Sequence, residues 1–188
     1  MKPVDWDKRY KEGFYRQTKE AHPLLQQFWH KIPRGNVIDI AMGSGRNALF
    51  LLERGYSVCG LDRSSEALKI ARQATVEKNR SIFLIRGDAG SLPFKTSSAS
   101  GVIIFYFLLR DIMEEIIGLL KTGGVLVYET FLKRQNTIDQ YRNPDFLLED
   151  GELLSYFKNL ELLFYEETIL TIDGKQKATA RFVGRKRC

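Results

Sequence analysis

Cysteine is scarce in this 188-residue chain: Cys59 sits inside an apolar run and Cys188 at the end, and there is no third. Two so placed exclude a disulfide framework of the kind that staples small secreted domains, and a reducing cytoplasm fits them best. Histidine is equally rare. His22 and His30 share the segment AHPLLQQFWHKI, where no cysteine or carboxylate cluster completes a metal site. An amphipathic surface helix with Phe28 and Trp29 inward is the expectation there, and no metal is expected. No stretch approaches the roughly 20 apolar residues of a membrane span. The opening MKPVDWDKRYKEG carries charge where a signal peptide needs an apolar run, so a cytoplasmic protein without membrane contact is expected. Internal repeats and low-complexity tracts are missing too, and Thr96 to Ser100 is only a polar loop.

Acid is missing from the last 14 residues. Lys175, Lys177, Arg181, Arg185, Lys186 and Arg187 account for the whole net charge of +6, because the preceding residues hold 23 charges of each sign. Lys175, Lys177, Arg181, Arg185 and Arg187 fall on odd positions of a strand, opposite Ala178, Ala180 and Phe182. No aromatics interleave with them, so a solvated face is expected in preference to a polyanion site. The remaining composition, 44% hydrophobic and 28% charged, is that of one ordinary globular domain.

Short apolar runs alternate with helical patterns. Val37 to Ile40, Ser57 to Leu61, Ile82 to Ile85, Val102 to Leu109 and Val125 to Thr130 read as strands, several apolar almost throughout, as parallel strands covered on both faces are. Between them lie predicted helices at Asn47 to Arg54, closed by Gly55, and at Ser65 to Asn79. A third, Asp111 to Lys121, has Asp111 as its N-cap candidate. Asp150 is expected to cap a helix through Lys158. The runs Glu161 to Ile172 and Lys177 to Arg185 are joined by Asp173-Gly174, too short a link for anything but an antiparallel pair. The expected fold is α/β: a mostly parallel, Rossmann-like sheet of seven strands, helices on both faces, closed by an antiparallel hairpin.

The densest signal is NVIDIAMGSGRNALFLLERGYSVCGLD, a strand, a glycine turn, a helix and a second strand ending in Asp62. Gly43 and Gly45 allow a sharp turn and close approach of a ligand. Asp62, 17 residues after Gly45, can accept from both hydroxyls of a ribose. With Ala48 the loop satisfies a dinucleotide fingerprint. Three features favour S-adenosylmethionine over a nicotinamide. Asp39, four residues before Gly43, can hold an ammonium and would sit badly beside a pyrophosphate. In GDAGSLPF, Asp88 can accept from an adenine amino group while the Ala89 N–H meets the ring. The closing hairpin leaves no room for a hydride-acceptor domain, and the one YxxxK string, Tyr15 to Lys19, precedes the glycine loop.

At DIAMGSGRN, LD, GD, ASGVIIFYFLL and LLKTGGVLVYETF the chain resembles the class I S-adenosylmethionine-dependent methyltransferases. WDKRY, GSGRN, YETF and RNPDFLL resemble, more narrowly, the small bacterial methyltransferases related to tellurite-resistance proteins. The resemblance implies cofactor contacts at Asp39, Ala41, Gly43, Gly45, Asn47, Asp62, Arg63, Asp88 and Ala89. It places Phe105 beside the methyl donor and Tyr10 over the cofactor. It divides residues 1–188, one methyltransferase domain, into a helical cap (1–33), the cofactor-binding core (34–131), an insert (132–149) and a helix with the closing hairpin (150–188). Met42 replaces the family's usual Cys or Gly and could crowd the methionine end. Arg63 stands where an apolar residue commonly packs on adenine, and Ser100-Gly101 replaces an Asp. Asn143-Pro144-Asp145-Phe146 is similar to the NPPY motif of amino-methyltransferases but follows the fifth strand, so it reads as a turn.

With no Cys or His expected near the site as a base, the acceptor is expected to be readily ionised or lone-pair bearing: a thiol, an oxyanion or a metalloid such as tellurite or selenite. Its pocket is assigned Tyr15, Arg46, Tyr106, Arg110, Glu129, Tyr141 and Arg142. Arg46 and Arg110 would orient an anion, Tyr106 would flank the methyl group and Glu129 would accept a substrate hydrogen bond. The alternatives are a catalytically inert S-adenosylmethionine-binding module and an RNA methyltransferase using the basic C-terminal face.

Overall fold

The computed structural model describes residues 4–13, 20–139, 142–172 and 174–187. Two short helices, α1 (Trp6–Lys11) and α2 (Pro23–Phe28), precede the alternating part. That part runs β1 (Asn36–Ile40), α3 (Arg46–Glu53), β2 (Ser57–Asp62), α4 (Ser65–Glu77), β3 (Phe83–Arg86), β4 (Ala99–Phe105), α5 (Met113–Leu119) and β5 (Leu120–Phe131). Helix α6 (Glu152–Tyr156) and the hairpin β6 (Glu161–Ile172) and β7 (Lys175–Arg185) complete it. The seven strands form one sheet in the order β3-β2-β1-β4-β5-β7-β6. The first five are parallel, and β7 pairs antiparallel with both β5 and β6. The chain leaves β1 toward β2 on one side and returns to β4 on the other. The carboxyl ends of β1 and β4 therefore flank a topological switch point, where open α/β sheets bind ligands.

Alternation along the strands builds two cores. Ile38, Ile40, Val102, Ile104, Leu126, Tyr128, Ala180 and Phe182 face α5 and α6. Val37, Val58, Ile103, Val125, Val127 and Val183 face α2, α3 and α4. In the first core Phe157 packs on Tyr128 and Phe182 at ring separations of 5.9 and 5.3 Å. Each such burial stabilises the fold by about 1.5–3 kcal/mol. The Tyr128 hydroxyl keeps a partner, donating to the Phe107 carbonyl at 2.8 Å.

Boundaries differ from expectation where a local device overrides the hydrophobic pattern. The run expected to extend to Leu109 leaves the sheet after Phe105, because Tyr106 adopts a left-handed conformation, φ +56°. Asp111 lies in a short 3-10 turn, Arg110–Ile112, and caps nothing, while α5 passes at Leu120 directly into β5. Gly151, left-handed at φ +78°, takes the N-cap of α6 in place of Asp150. The insert contains the 3-10 turns Lys133–Thr137 and Pro144–Phe146. The second is a capped turn as expected, with Asn143 Oδ1 accepting the Asp145 N–H at 3.1 Å. Among the described residues no helix is long and apolar enough to cross a membrane.

The basic stripe is solvated only in part: Lys175 and Arg187 are exposed, Lys177 and Arg185 half-buried, and Arg181 is buried. Strand β7 is interior to the sheet, and in-register glutamates of β6 oppose its arginines: Glu166 meets Arg181 and Glu161 meets Arg185, at 2.6 and 3.3 Å. Arg181 is 8% exposed.

Candidate active site

The glycine loop is anchored by an acid two strands' ends away in sequence but adjacent in space. Asp62 Oδ2 accepts the Gly43 N–H at 2.8 Å, and Asp62 Oδ1 accepts the Ser64 N–H at 2.9 Å. One carboxylate thus fixes the loop after β1 and the start of α4. Ala41, Gly43 and Gly45 are all left-handed, φ +56°, +57° and +82°, which lets the chain reverse from β1 into α3 within five residues. A Cβ on Gly43 would lie 2.6 Å from Tyr10 Oη, so α1 brings that hydroxyl directly over the loop. Helix α1 is held there by Asp7, which the sequence reading overlooked. Its carboxylate accepts from Ser64 Oγ, Ser65 Oγ and the Glu66 N–H at 2.7, 3.0 and 3.2 Å. Those bonds hold its pKa down to about 2.

Asp39 is 2% exposed, and its buried Oδ2 has no hydrogen-bond partner among the described residues. Burial and the neighbouring Asp62 push its carboxyl well above the usual range. Such an orphan costs stability unless a donor or cation meets it. The residues present therefore fit a cationic ligand with an ammonium group. At the ends of β2 and β3, Arg63 lies 3.7 Å from Asp88, both side chains more than half exposed, and Asp88 Oδ1 accepts the Gly90 N–H at 2.9 Å. Ala89 is half-buried beside them. Met42 is buried against the sheet, where a Cβ on Gly60 would sit 1.9 Å from its sulfur, and its methyl lies against the glycine loop, 3.0 Å from a Cβ on Gly45. Gly60 makes the room that Met42 fills.

A second cluster lies at the β4 side of the switch point. His22 is not a surface residue. It is 0% exposed, its N–H donates to Asn47 Oδ1 at 2.8 Å, its ring stacks on Phe105 at 4.4 Å, and Nε2 lies 2.9 Å from Tyr106 Oη. Asn47 and Phe105, expected at the cofactor, are thus committed to His22 through one carbonyl oxygen and one ring face. Burial, then the charges of Arg46, Lys177 and Arg181, push the His22 pKa down to about 2, so the ring is neutral. Lys177 Nζ reaches Tyr106 Oη at 3.2 Å and covers its ring at 4.6 Å. Phe131 stacks on Tyr106 at 4.9 Å, and Arg142 in turn covers Phe131 at 4.4 Å and pairs with Asp139.

Two expected pocket residues are corrected. Glu129 is 0% exposed and enclosed by Thr179 Oγ1 (3.0 Å), Arg181 Nε (3.4 Å) and His22 Nδ1 (3.6 Å), so no substrate reaches it directly. Burial pushes its pKa up to about 7 despite Arg181. Arg110 directs four hydrogen bonds inward, two to Glu152 and one each to the carbonyls of Asp145 and Leu147. It ties the insert to α6 and does not orient an anion. Among the described residues a cation that does meet Tyr106 is Lys177, and Arg181 pairs with Glu129; both were missed because an alternating basic strand looks solvent-facing until its neighbours are known. Tyr15 and Tyr141 lie outside the described residues.

With this geometry in view, the likenesses are consistent. Residues 37–124 match the family profile described as a methyltransferase domain. Demethylmenaquinone methyltransferase of Renibacterium salmoninarum is 31% identical over 121 residues, covering 61% of this chain and 49% of that one. A probable S-adenosyl-L-methionine-dependent methyltransferase, TehB, of Haemophilus influenzae is 27% identical over 71% of this chain and 48% of its own length. The chain spans about half the length of these curated relatives. The crystal structure of TehB from Haemophilus influenzae superposes with a TM-score of 0.76 at 20% identity, covering 96% of this chain and 67% of that one. An S-adenosylmethionine-dependent methyltransferase from Methanosarcina mazei does so at 0.70 and 21%, covering 89% and 99%. These superpositions bear on the fold, which is that of the Rossmann-like methyltransferases. The sequence matches, centred on residues 37–124, and the glycine loop with its strand-end acids make the chain similar to the S-adenosylmethionine-dependent methyltransferases.

Proposed function

We propose that the chain methylates a small-molecule nucleophile. Bound S-adenosylmethionine would supply an electrophilic methyl group on a sulfonium. Asp39 would hold its ammonium, the Gly43 loop and Asp62 its central part and ribose, and Asp88 with Ala89 its adenine, while Tyr10 covers the loop. The observation that carries the reading is the buried Asp39 carboxyl, its Oδ2 without a partner among the described residues, next to the Asp62-anchored loop, which favours a cationic ligand over a pyrophosphate. Lys177 and Arg46 give the Tyr106 side of the switch point positive charge, which suits an acceptor that develops or carries negative charge. A thiol, an oxyanion or a metalloid oxyanion has that property. Transfer of labelled methyl from S-adenosylmethionine to separate thiol, phenol, metalloid-oxyanion and RNA pools tests it. Label in one of the first three supports the reading; label in RNA alone, or in no pool despite cofactor binding, overturns it.

A further inference from the structure

Thiols and hydroxyls keep their protons at neutral pH, and the chain offers a group to receive one. Tyr106 leaves β4 with φ +56°, a strained conformation for a bulky residue that is tolerated where surroundings over-determine it. His22 Nε2 and Lys177 Nζ meet its Oη at 2.9 and 3.2 Å. The Leu24 N–H is directed at His22 Nδ1 at 3.3 Å, with Glu129 Oε2 3.6 Å from the same nitrogen; with Nδ1 accepting from Leu24, the ring proton is assigned to Nε2. The ammonium of Lys177 can only donate. Two donors from separate elements, the segment before α2 and strand β7, therefore converge on one phenolic oxygen. Hydrogen bonds of this kind favour the ionised form of the group that accepts them.

Resting on the methyl-transfer reading, we propose that Tyr106 Oη is the base that takes the acceptor's proton, with His22 Nε2–H and Lys177 Nζ–H holding the phenolate. The substrate class that follows is a small thiol or hydroxyl compound. The acceptor's sulfur or oxygen bonds to the methyl carbon as the bond to the sulfonium sulfur breaks. The electron pair of that bond stays on the departing sulfur, and the acceptor's proton ends on Tyr106 Oη, from which it passes to solvent before the next turnover. Among the described residues, Lys177 from β7 meets this oxygen itself, while Arg46 from α3, Arg181 from β7 and Glu129 from β5 act on the adjoining His22 ring. His22 stays a neutral donor among them.

The test is an ultraviolet titration of tyrosinate on the full chain, alone and with S-adenosylhomocysteine, for the wild type, Tyr106→Phe and Lys177→Met. S-adenosylhomocysteine affinity is measured on the same samples, as are rates with thiols and phenols of graded acidity. One tyrosine should ionise ahead of the others in the wild type, disappear in Tyr106→Phe and move to higher pH in Lys177→Met. Tyr106→Phe should lose about 10²–10⁴-fold in rate on acceptors protonated at the assay pH, and at least about tenfold less on acceptors already ionised. Its S-adenosylhomocysteine affinity should stay within about threefold of wild type, since the phenol is placed at the proton and away from the glycine loop. A titration without the early tyrosine, or equal rate losses on both kinds of acceptor, overturns the base. If no acceptor is methylated the small-molecule reading falls, and the titration by itself decides for or against Tyr106.

Discussion

Asp62 and Gly43, 19 residues apart, are joined by a 2.8 Å hydrogen bond from the Gly43 amide to the Asp62 carboxylate. The acid expected to hold a ribose therefore also shapes the loop that would hold the rest of the ligand. Asp62→Asn keeps the size but removes charge, and hydrogen bonds to a charged group contribute about 1.5–3 kcal/mol. S-adenosylmethionine affinity should fall about 10- to 100-fold on that basis, measured by calorimetry, with the fold intact by circular dichroism.

Met42 and Gly60 form a complementary pair. Adding a methyl group in Gly60→Ala drives a Cβ to 1.9 Å from the Met42 sulfur, and overpacking of this kind costs about 1–3 kcal/mol. Met42→Ala in the same chain should recover most of that loss in denaturant melts. Additive losses in the double variant would show that the two side chains do not share this space.

Helix α1 has no buried residue and is held by Asp7 on the first turn of α4. Asp7→Ala should leave the melting temperature nearly unchanged and weaken S-adenosylmethionine binding by about 2- to 10-fold, as Tyr10 is released from over Gly43. The Asp7 pKa is lowered to about 2 from 3.8. Its contribution is therefore complete above the unfolded value and is lost as pH falls through about 2. Proteolysis near residues 4–13 should increase across that window.

His22 and Glu129 impose opposite pH dependences. His22 titrates near 2 when folded and 6.5 when unfolded, so the unfolded chain binds an extra proton in between and stability rises with pH over that range. Glu129 titrates near 7 when folded against 4.5 unfolded, so the folded chain holds the extra proton and stability falls from 4.5 to 7. In the wild type the two oppose each other between pH 4.5 and 6.5. His22→Gln should expose the Glu129 decline, and Glu129→Gln the His22 rise, in denaturant melts taken across that interval.

Much of the fold was legible because it is written locally. Apolar strands, the glycine turn, the strand-end acids at 39, 62 and 88, and the two-residue hairpin link each carry their meaning within a few residues. What was not legible depends on distant partners. His22 looks like part of a surface helix until Asn47 and Tyr106, 25 and 84 residues away, enclose it. Arg181 looks solvated until β7 is known to lie between β5 and β6, with Glu129 and Glu166 against it. Arg110 looks available for an anion until Glu152 and the insert's carbonyls occupy it. In each case a polar side chain took its role from tertiary packing that periodicity does not encode.

The most direct measurement is a calorimetric titration of the full chain with S-adenosylmethionine and, separately, with NADH, repeated on Asp39→Ala. Saturable binding of S-adenosylmethionine that is lost in Asp39→Ala, with none for NADH, is the outcome expected from the buried Asp39 carboxyl and its unsatisfied Oδ2. Binding of NADH without S-adenosylmethionine, or S-adenosylmethionine binding indifferent to Asp39, would contradict it.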